Sequence, residues 1–508
     1  MTDDTNTEKQ SIPLWKNPDL YCHDLPTEPC PDVGTVLVTG ASGYIGGRLV
    51  PELTARGYRV RVMVRAALPE SQELWPNIEV VVADALDKES LRKALSGIDT
   101  AYYLIHSLLL GPEKLEVAEI QASTNFRKVA EQEHVKRIIY LGGLGDIHYE
   151  LSPHLRSRMK VSEELQHGSV PVTILRAAII IGSGSASYEI IRHLVKRIPV
   201  FIIPRWAENL CQPIAIRDVI KYLVGVLETP ATAGKSYDIC GPDILTYKMM
   251  LKVCAEVYQL KRIFIPFPTW NIGIFSYFTS LLTPVPAQLT RYLMGGLTND
   301  IVCQTTSIIV SIPFQCLSYR EAITRAKNIE EQDTIFTRWT SAYPPAYELA
   351  VKLDELRERA DYTTRYSLTT EKEAPALFQS ICTVGGKEGW FSNNWMWRLR
   401  GLIDKIFMGV GDLRGRRSRN RLNINDVIGF WRIEDLRPNK RLLLRAEMKM
   451  PGKAWLEFTI EDDGDKRKLS VIPYYYTKTL AGKLYWYVFL PFHGYIFNDL
   501  IKDIEKKS

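Results

Sequence analysis

Residues 34–57 read GTVLVTGASGYIGGRLVPELTARG, and this stretch decides the fold. The run GTVLVTG is short, apolar at its centre and rich in β-branched residues, as a strand buried on both faces must be. It passes directly into Gly40-Ala-Ser-Gly43-Tyr-Ile-Gly46, and then into a segment whose apolar residues recur at helical spacing up to Gly57. A strand, a tight turn and a helix in this order bring the first backbone N–H groups of the helix against an anion. The glycines permit the turn and let the backbone approach a pyrophosphate. Gly40, Ser42, Gly43, Tyr44, Ile45 and Gly46 are therefore the predicted dinucleotide-binding residues.

Beyond Gly57 the pattern repeats. RVRVMVR reads as a second strand, NIEVVVAD as a third, TAYYLIHS as a fourth, RIIYLGGL as a fifth and PVTILRAAII as a sixth, with helix-length segments such as 88–95 and 118–133 between them. This alternation requires right-handed crossovers and a doubly wound parallel sheet, the α/β Rossmann architecture. Arg65 falls at the end of the second strand, where an NAD-selective site presents a carboxylate to the ribose. A guanidinium there suits a 2′-phosphate, so NADP rather than NAD is predicted, a solvated strand-end arginine being the alternative. Asp84 ends the third strand, where it either accepts from the adenine amine or caps a loop.

The 508 residues are enough for two or three domains, and 46% hydrophobic with 24% charged residues excludes collagen-like and wholly disordered chains. The eight cysteines form no C-x-x-C pair, so the sequence predicts neither a zinc site nor a disulfide framework, and a reducing cytoplasm is the expected setting. Residues 1–33 lack an apolar core segment and read as a flexible tail. IGIFSYFTSLLTPV at 272–285 is too short to span a bilayer. It predicts a buried helix pair or a weak peripheral membrane contact.

TGASGYIGGRL, VVVADALD, YLGGLG and QPIAIRDVIKYL together resemble an extended, atypical short-chain dehydrogenase/reductase of the NmrA-like group, over residues 34–335. The resemblance implies an NAD(P)-binding, oxidoreductase-like protein, with a small substrate lobe at about 261–335. It places the superfamily's Tyr-x-x-x-Lys pair on Ser152-Pro-His154-Leu-Arg-Ser157-Arg158, with His154 at the tyrosine and Arg158 at the lysine; Gly142 stands where a serine is usual. His154 and Arg158 are thus the predicted catalytic pair, histidine being able to donate a proton near neutral pH. The substitution leaves a second reading open, a sensor or scaffold that binds NADP(H) without turnover. The resemblance also places backbone contacts to the cofactor at His106, after the fourth strand; a satisfied loop histidine is the alternative. Gly182-Ser-Gly184-Ser185 is either a connecting turn or an anion nest. The aromatic and proline-rich segment after Lys261 reads as ordinary core or as the lining of a pocket for a small lipophilic ligand.

Residues 336–362 read as a connector helix, centred on YELAVKLDELRER. From 363 to 508 the chain holds 26 Lys and Arg against 17 Asp and Glu, a basic module distinct from the rest. VIGFWRIEDL, RLLLRAEMK, AWLEFTIEDD and KLSVIPYYYT form an antiparallel meander ahead of a long C-terminal helix. A sheet around one such helix resembles the α+β helix-grip, START-like fold, and the stretch also resembles the domain that follows the NmrA-like domain in a bacterial two-domain family. Arg414, Arg416, Arg417, Arg419 and Arg421 carry no aromatic stacking platform or recognition helix, which argues against nucleic acid; an anion clamp at a cavity mouth, docking to the mildly acidic first domain or a solvated loop remains. His493 reads as a core histidine or as a polar group in an aromatic lining.

Overall fold

The computed structural model describes residues 14–65, 75–106, 112–145, 152–268, 271–305, 307–332, 337–342, 361–385, 389–416 and 422–508. Strand β1 (Thr35–Thr39) leads through the glycine turn into helix α1 (Gly46–Ala55), and β2 (Arg59–Val64) and β3 (Glu79–Val82) follow. Then come α2 (Lys88–Leu95), β4 (Thr100–Tyr103), α3 (Pro112–Gln132), β5 (Arg137–Gly143), α4 (Pro153–Gln166) and β6 (Val172–Ala177). After α5 (Ala186–Arg197) and β7 (Val200–Pro204), helix α6 (Ile216–Leu227) returns the chain to a last sheet strand, β8 (Ser236–Ile239). The strand order is β3-β2-β1-β4-β5-β6-β8, all parallel, so the order reverses between β1 and β4. A crevice opens at such a switch point, and the glycine turn ends β1 there.

The pattern reading gave six of these strands. It passed over β8 because SYDI is short and carries the buried Asp238, which is held there by Arg176 at 2.7 Å. Two apolar clusters cover the two faces of the sheet, one centred on Val36, Val38 and α6, the other on Leu37, Tyr103 and Ile138. The sheet is thus the doubly wound one the alternation requires.

Three sequence expectations need correction in this part of the chain. Residues 17–33 are not a loose tail: Cys22 and Leu25 lie in the core, Glu52 accepts from the backbone N–H groups of Tyr21 and Cys22, and Arg56 bonds both Thr27 and Glu228. Cys240 and Cys303 are paired as a disulfide, their Cα atoms 6.5 Å apart; cysteines 63 residues apart leave no spacing motif to read. The core of the connector helix, 347–359, lies outside the described residues. Residues 337–342 are docked instead of linking freely, with the Trp339 N–H on the Gly184 carbonyl at 2.8 Å and Arg338 on Glu189 at 2.6 Å.

Three further helices, α7 (Tyr247–Val257), α8 (Ile272–Leu282) and α9 (Ala287–Met294), wall a cavity; β9 (Ile263–Phe267), paired in parallel with β7, and α10 (Tyr319–Glu331) complete this part of the chain. A second, antiparallel sheet is built from β10 (Tyr362–Thr363), β11 (Tyr366–Thr370), β12 (Val427–Ile428), β13 (Trp431–Arg437), β14 (Arg441–Ala446), β15 (Lys453–Asp463) and β16 (Lys466–Tyr476). It is joined by α11 (Ala374–Thr383), α12 (Asn394–Ile406) and the long α13 (Leu480–Lys506). Alternation sends Ile433, Leu444, Leu456, Phe458 and Val471 to the inner face, where Phe497, Leu500 and Ile501 of α13 pack on them.

Candidate functional site

The turn after β1 is shaped by its glycines. Gly40 has φ +63°, a left-handed conformation that favours glycine, and a Cβ on it would lie 2.7 Å from the Leu104 carbonyl oxygen. A Cβ on Gly46 would overlap the Gly40 carbonyl itself, so this glycine sets how tightly α1 closes on β1. The Gly43 N–H bonds the Gly40 carbonyl at 2.9 Å. Ser42, Gly43, Tyr44 and Ile45 are half-buried, with Ile45 packed on the core. The Tyr44 ring lies under the Arg48 guanidinium, 4.2 Å from its centroid, and its phenol is held beside Gly182. Arg48 in turn bonds the Ser183 carbonyl and the Thr337 hydroxyl. The turn is therefore braced from behind by residues 183 and 337.

Arg65 stands exposed, one residue past β2. The Asp84 carboxylate accepts from the Leu86 N–H at 2.9 Å, the loop-capping arrangement. His106, beyond β4, turns its ring onto Glu119 of α3, with Nδ1 2.5 Å from Oε1. Glu119 also accepts from the Ser157 hydroxyl of α4. Desolvation alone would raise the Glu119 carboxyl, but its hydrogen bond with His106 and the nearby charges of His106 and Arg158 prevail and hold it down at about 2. Burial, with Arg158 nearby, lowers the His106 imidazole. Glu119 thus ties the loop after β4 to the helix carrying Arg158. Sequence reading missed it, since a helical glutamate among several gives no signal.

His154 is the second residue of α4, and its side chain lies outside the described residues. Arg158 donates to the Leu141 carbonyl at 2.7 Å and lies 5.3 Å over the Tyr140 ring. The Gly182 to Ser185 segment is a structural turn: Ser185 caps α5 by accepting from the Tyr188 N–H, while the Ser183 and Gly184 carbonyls are taken by Arg48 and Trp339.

Beside the carboxyl ends of β5 and β6 lies a cavity of about 360 Å³. Gly143, Leu144 and Ala177–Ile179 form its inner end; α5, β7, α8 and α9 wall it with residues such as Ile190, Phe201, Phe275 and Leu293. Polar groups among its lining are few, chiefly Ser152, Ser187, Thr279 and Tyr247. The aromatic segment after Lys261 therefore does line a pocket. The apolar stripe of α5 and strand β7 line it as well.

In the second unit, Arg414 bonds the Gly429 carbonyl and Glu447, and Arg416 is buried with a 3.4 Å contact to the Val384 carbonyl. Neither is a solvated or clamp arginine; Arg417, Arg419 and Arg421 lie outside the described residues. His493 sits between the rings of Trp486 and Phe497, at 5.1 and 5.4 Å, the core placement. Among the described residues, no group of three or more His, Cys, Asp or Glu side chains could hold a metal ion. No helix among them is long and apolar enough to cross a membrane.

Residues 32–259 match the NmrA-like family, and residues 356–500 match a family described as protein of unknown function (DUF2867). The chain is 32% identical over 120 residues to cinnamoyl-CoA reductase 1 of Oryza sativa subsp. japonica, covering 22% of this chain and 35% of that enzyme. It is 32% identical over 118 residues to a 3-beta-hydroxysteroid dehydrogenase of Mycolicibacterium neoaurum, covering 22% and 32%. The chain spans about a third of the length of these curated relatives. The structure of a Citrobacter sp. triphenylmethane reductase complexed with NADP(H) aligns at 18% identity and a TM-score of 0.48, over 57% of this chain and 99% of that one.

Proposed function

We propose that the protein, whose residues 32–259 match the NmrA-like family, is an oxidoreductase of the NAD(P)-binding type that holds NADP(H) on the turn of residues 40–46 and passes hydride between it and a lipophilic ligand in the cavity. The cavity carries this reading. It is apolar, of a volume suited to a small ligand, and begins at the carboxyl ends of β5 and β6, where open α/β sheets present ligands. The turn fits a pyrophosphate, since its left-handed Gly40 and close-packed Gly46 leave the backbone bare where α1 begins.

In this reading the nicotinamide supplies the hydride, and the chain binds, orients and protonates. Gly40, Ser42, Gly43, Tyr44, Ile45 and Gly46 carry the pyrophosphate and Arg65 the 2′-phosphate, while the Asp84 carboxylate, besides capping its loop through the Leu86 N–H, accepts from the adenine amine. The His106–Glu119 pair fixes the loop after β4, and His154 is the proton donor. The division of the chain at about 335 and 363 is part of the proposal, as is a helix-grip, START-like character for residues 363–508, whose sheet grips α13. A cytoplasmic setting completes it, for which the six free cysteines speak and against which the Cys240–Cys303 disulfide stands.

One observation favours a second reading, a redox sensor without turnover. The Arg158 guanidinium is engaged by the Leu141 carbonyl and the Tyr140 ring, whereas a ribose-holding cation would face the cofactor. Titration with NADPH and NADH followed by tryptophan fluorescence, then a screen of lipophilic carbonyl compounds for loss of nicotinamide absorbance, separates the two. Absence of NADPH binding overturns both readings. Binding without turnover of any compound, together with a change in domain arrangement, selects the sensor.

A further inference from the structure

Three helices and a strand pair turn apolar side chains outward on adjoining surfaces. On α12, Trp395, Leu399, Leu402 and Ile406 follow one another at helical spacing on a single face, all exposed, and Phe407 beyond them is 67% exposed. On α13, Leu480, Leu484 and Tyr487 do the same. On α8, Ile274 and Phe278 are exposed one turn apart. Strands β7 and β9 expose Ile202 and Ile265, cross-strand partners.

These surfaces are joined by specific contacts. The Tyr277 hydroxyl of α8 donates to the Ile406 carbonyl of α12 at 2.9 Å. Arg400 of α12 donates to the Tyr485 hydroxyl of α13 and lies over the Tyr485 and Phe489 rings. Phe278 is both half exposed and part of the cavity lining, so the mouth of the cavity opens within this apolar surface.

The charge of the same segments says what they fit. Residues 257–299, 389–403 and 466–498, which supply α8, β9, most of α12 and the first two-thirds of α13, contain not one Asp or Glu. Lys261, Arg398, Lys478 and Lys483 lie exposed within them. Trp395, Tyr487 and Tyr495 add the amphipathic rings that settle at headgroup level. An exposed apolar surface without carboxylates, edged by cations and aromatic rings, is the chemistry of an interfacial anchor and not of a spanning segment.

We propose that this surface docks on an anionic lipid bilayer, laying α12 and the amino-terminal half of α13 in the interface and setting the cavity mouth against the lipid. The purpose of the docking, delivery of a lipophilic ligand straight from the bilayer, rests on the function proposed above; the docking itself does not. Lysines and arginines near a negative surface strengthen attachment and make it sensitive to salt.

The test is co-sedimentation of the full chain with phosphatidylcholine vesicles, with and without phosphatidylglycerol, at low and high salt. The expected result is binding that requires phosphatidylglycerol and weakens with salt. Leu402→Glu and Leu484→Glu, each at an exposed position, should lower bound protein about tenfold, equivalent to withdrawing about two methylenes from the interface. Val117→Glu, at an exposed site on α3, should leave binding unchanged. Thermal melting and NADPH titration of the same samples establish that each variant is folded.

Folded wild type that stays in the supernatant overturns the proposal, as does equal binding by wild type and both face variants. A dimer in solution that Leu402→Glu dissociates, with no vesicle binding, assigns the surface to a second copy and also overturns it. Vesicle binding without NADPH affinity removes the proposed function and leaves the docking in place.

Discussion

In the proposed function Arg65 would separate two cofactors that differ by one phosphate, so its role is measurable by itself. Loss of charge-assisted hydrogen bonds to a phosphate costs about 1.5–3 kcal/mol, so Arg65→Ala should weaken NADPH about 10- to 150-fold and leave NADH nearly unchanged in the same fluorescence titration. Equal loss for both cofactors would take the 2′-phosphate away from Arg65. His154 is tested by turnover instead: His154→Ala should slow hydride transfer by about 10²–10⁴ with NADPH affinity kept, and a substrate turned over at the wild-type rate would end its role as acid. What could be read in the sequence at this scale follows from backbone geometry. Gly40 and Gly46 are legible because the turn admits nothing larger, as the approach of the Leu104 and Gly40 carbonyls shows. Glu119 was not legible, since its meaning lies in two contacts from distant segments, His106 and Ser157.

Elements were read well where side-chain periodicity matched burial. β13 to β16 are buried on both faces over their central residues, and even charged residues of the second face, Arg432, Glu434 and Glu457, are buried in ion pairs such as Arg441–Glu457. β8 was missed because a four-residue strand with a buried Asp238 has no such signature. Helix α13 runs unbroken through Pro491 and carries His493 between two aromatic rings, its Nδ1 buried without a partner. Burial pushes this imidazole down to about 4, so it is neutral in the folded chain at neutral pH and the unfolded chain takes up a proton first. Stability attributable to it is intact above about 6.5 and is lost as pH falls towards about 4, by up to about 3 kcal/mol. His493→Phe should therefore flatten the fall of melting temperature between these pH values while preserving it at neutrality. A variant whose acid profile superposes on wild type would show that other groups govern the transition.

Helix α12 abuts the cavity wall, and Lys405 joins the two beside the Tyr277–Ile406 bond. Its buried ammonium donates to the carbonyls of Ser280 and Thr283 at 2.8 Å and of Val285 at 3.2 Å, the ends left open where α8 terminates. A cation at a helix carboxyl terminus also meets the negative end of the dipole. Helix α8 also bears Phe275 and Phe278, which line the cavity, so Lys405 anchors the end of a helix that walls the pocket. Lys405→Met keeps the stem and removes the three donors, leaving carbonyls unsatisfied at a cost of about 1–3 kcal/mol. The expected result is a melting temperature lower by several degrees, on the order of 2–4 °C per kcal/mol for a domain of this size. Affinity of the cavity for an apolar dye such as Nile red should fall with it, although Lys405 does not line the cavity, while NADPH affinity at the turn of residues 40–46 stays as in wild type. A lower melting temperature with unchanged dye affinity would reduce Lys405 to a stabilising contact and sever the second unit from control of the pocket.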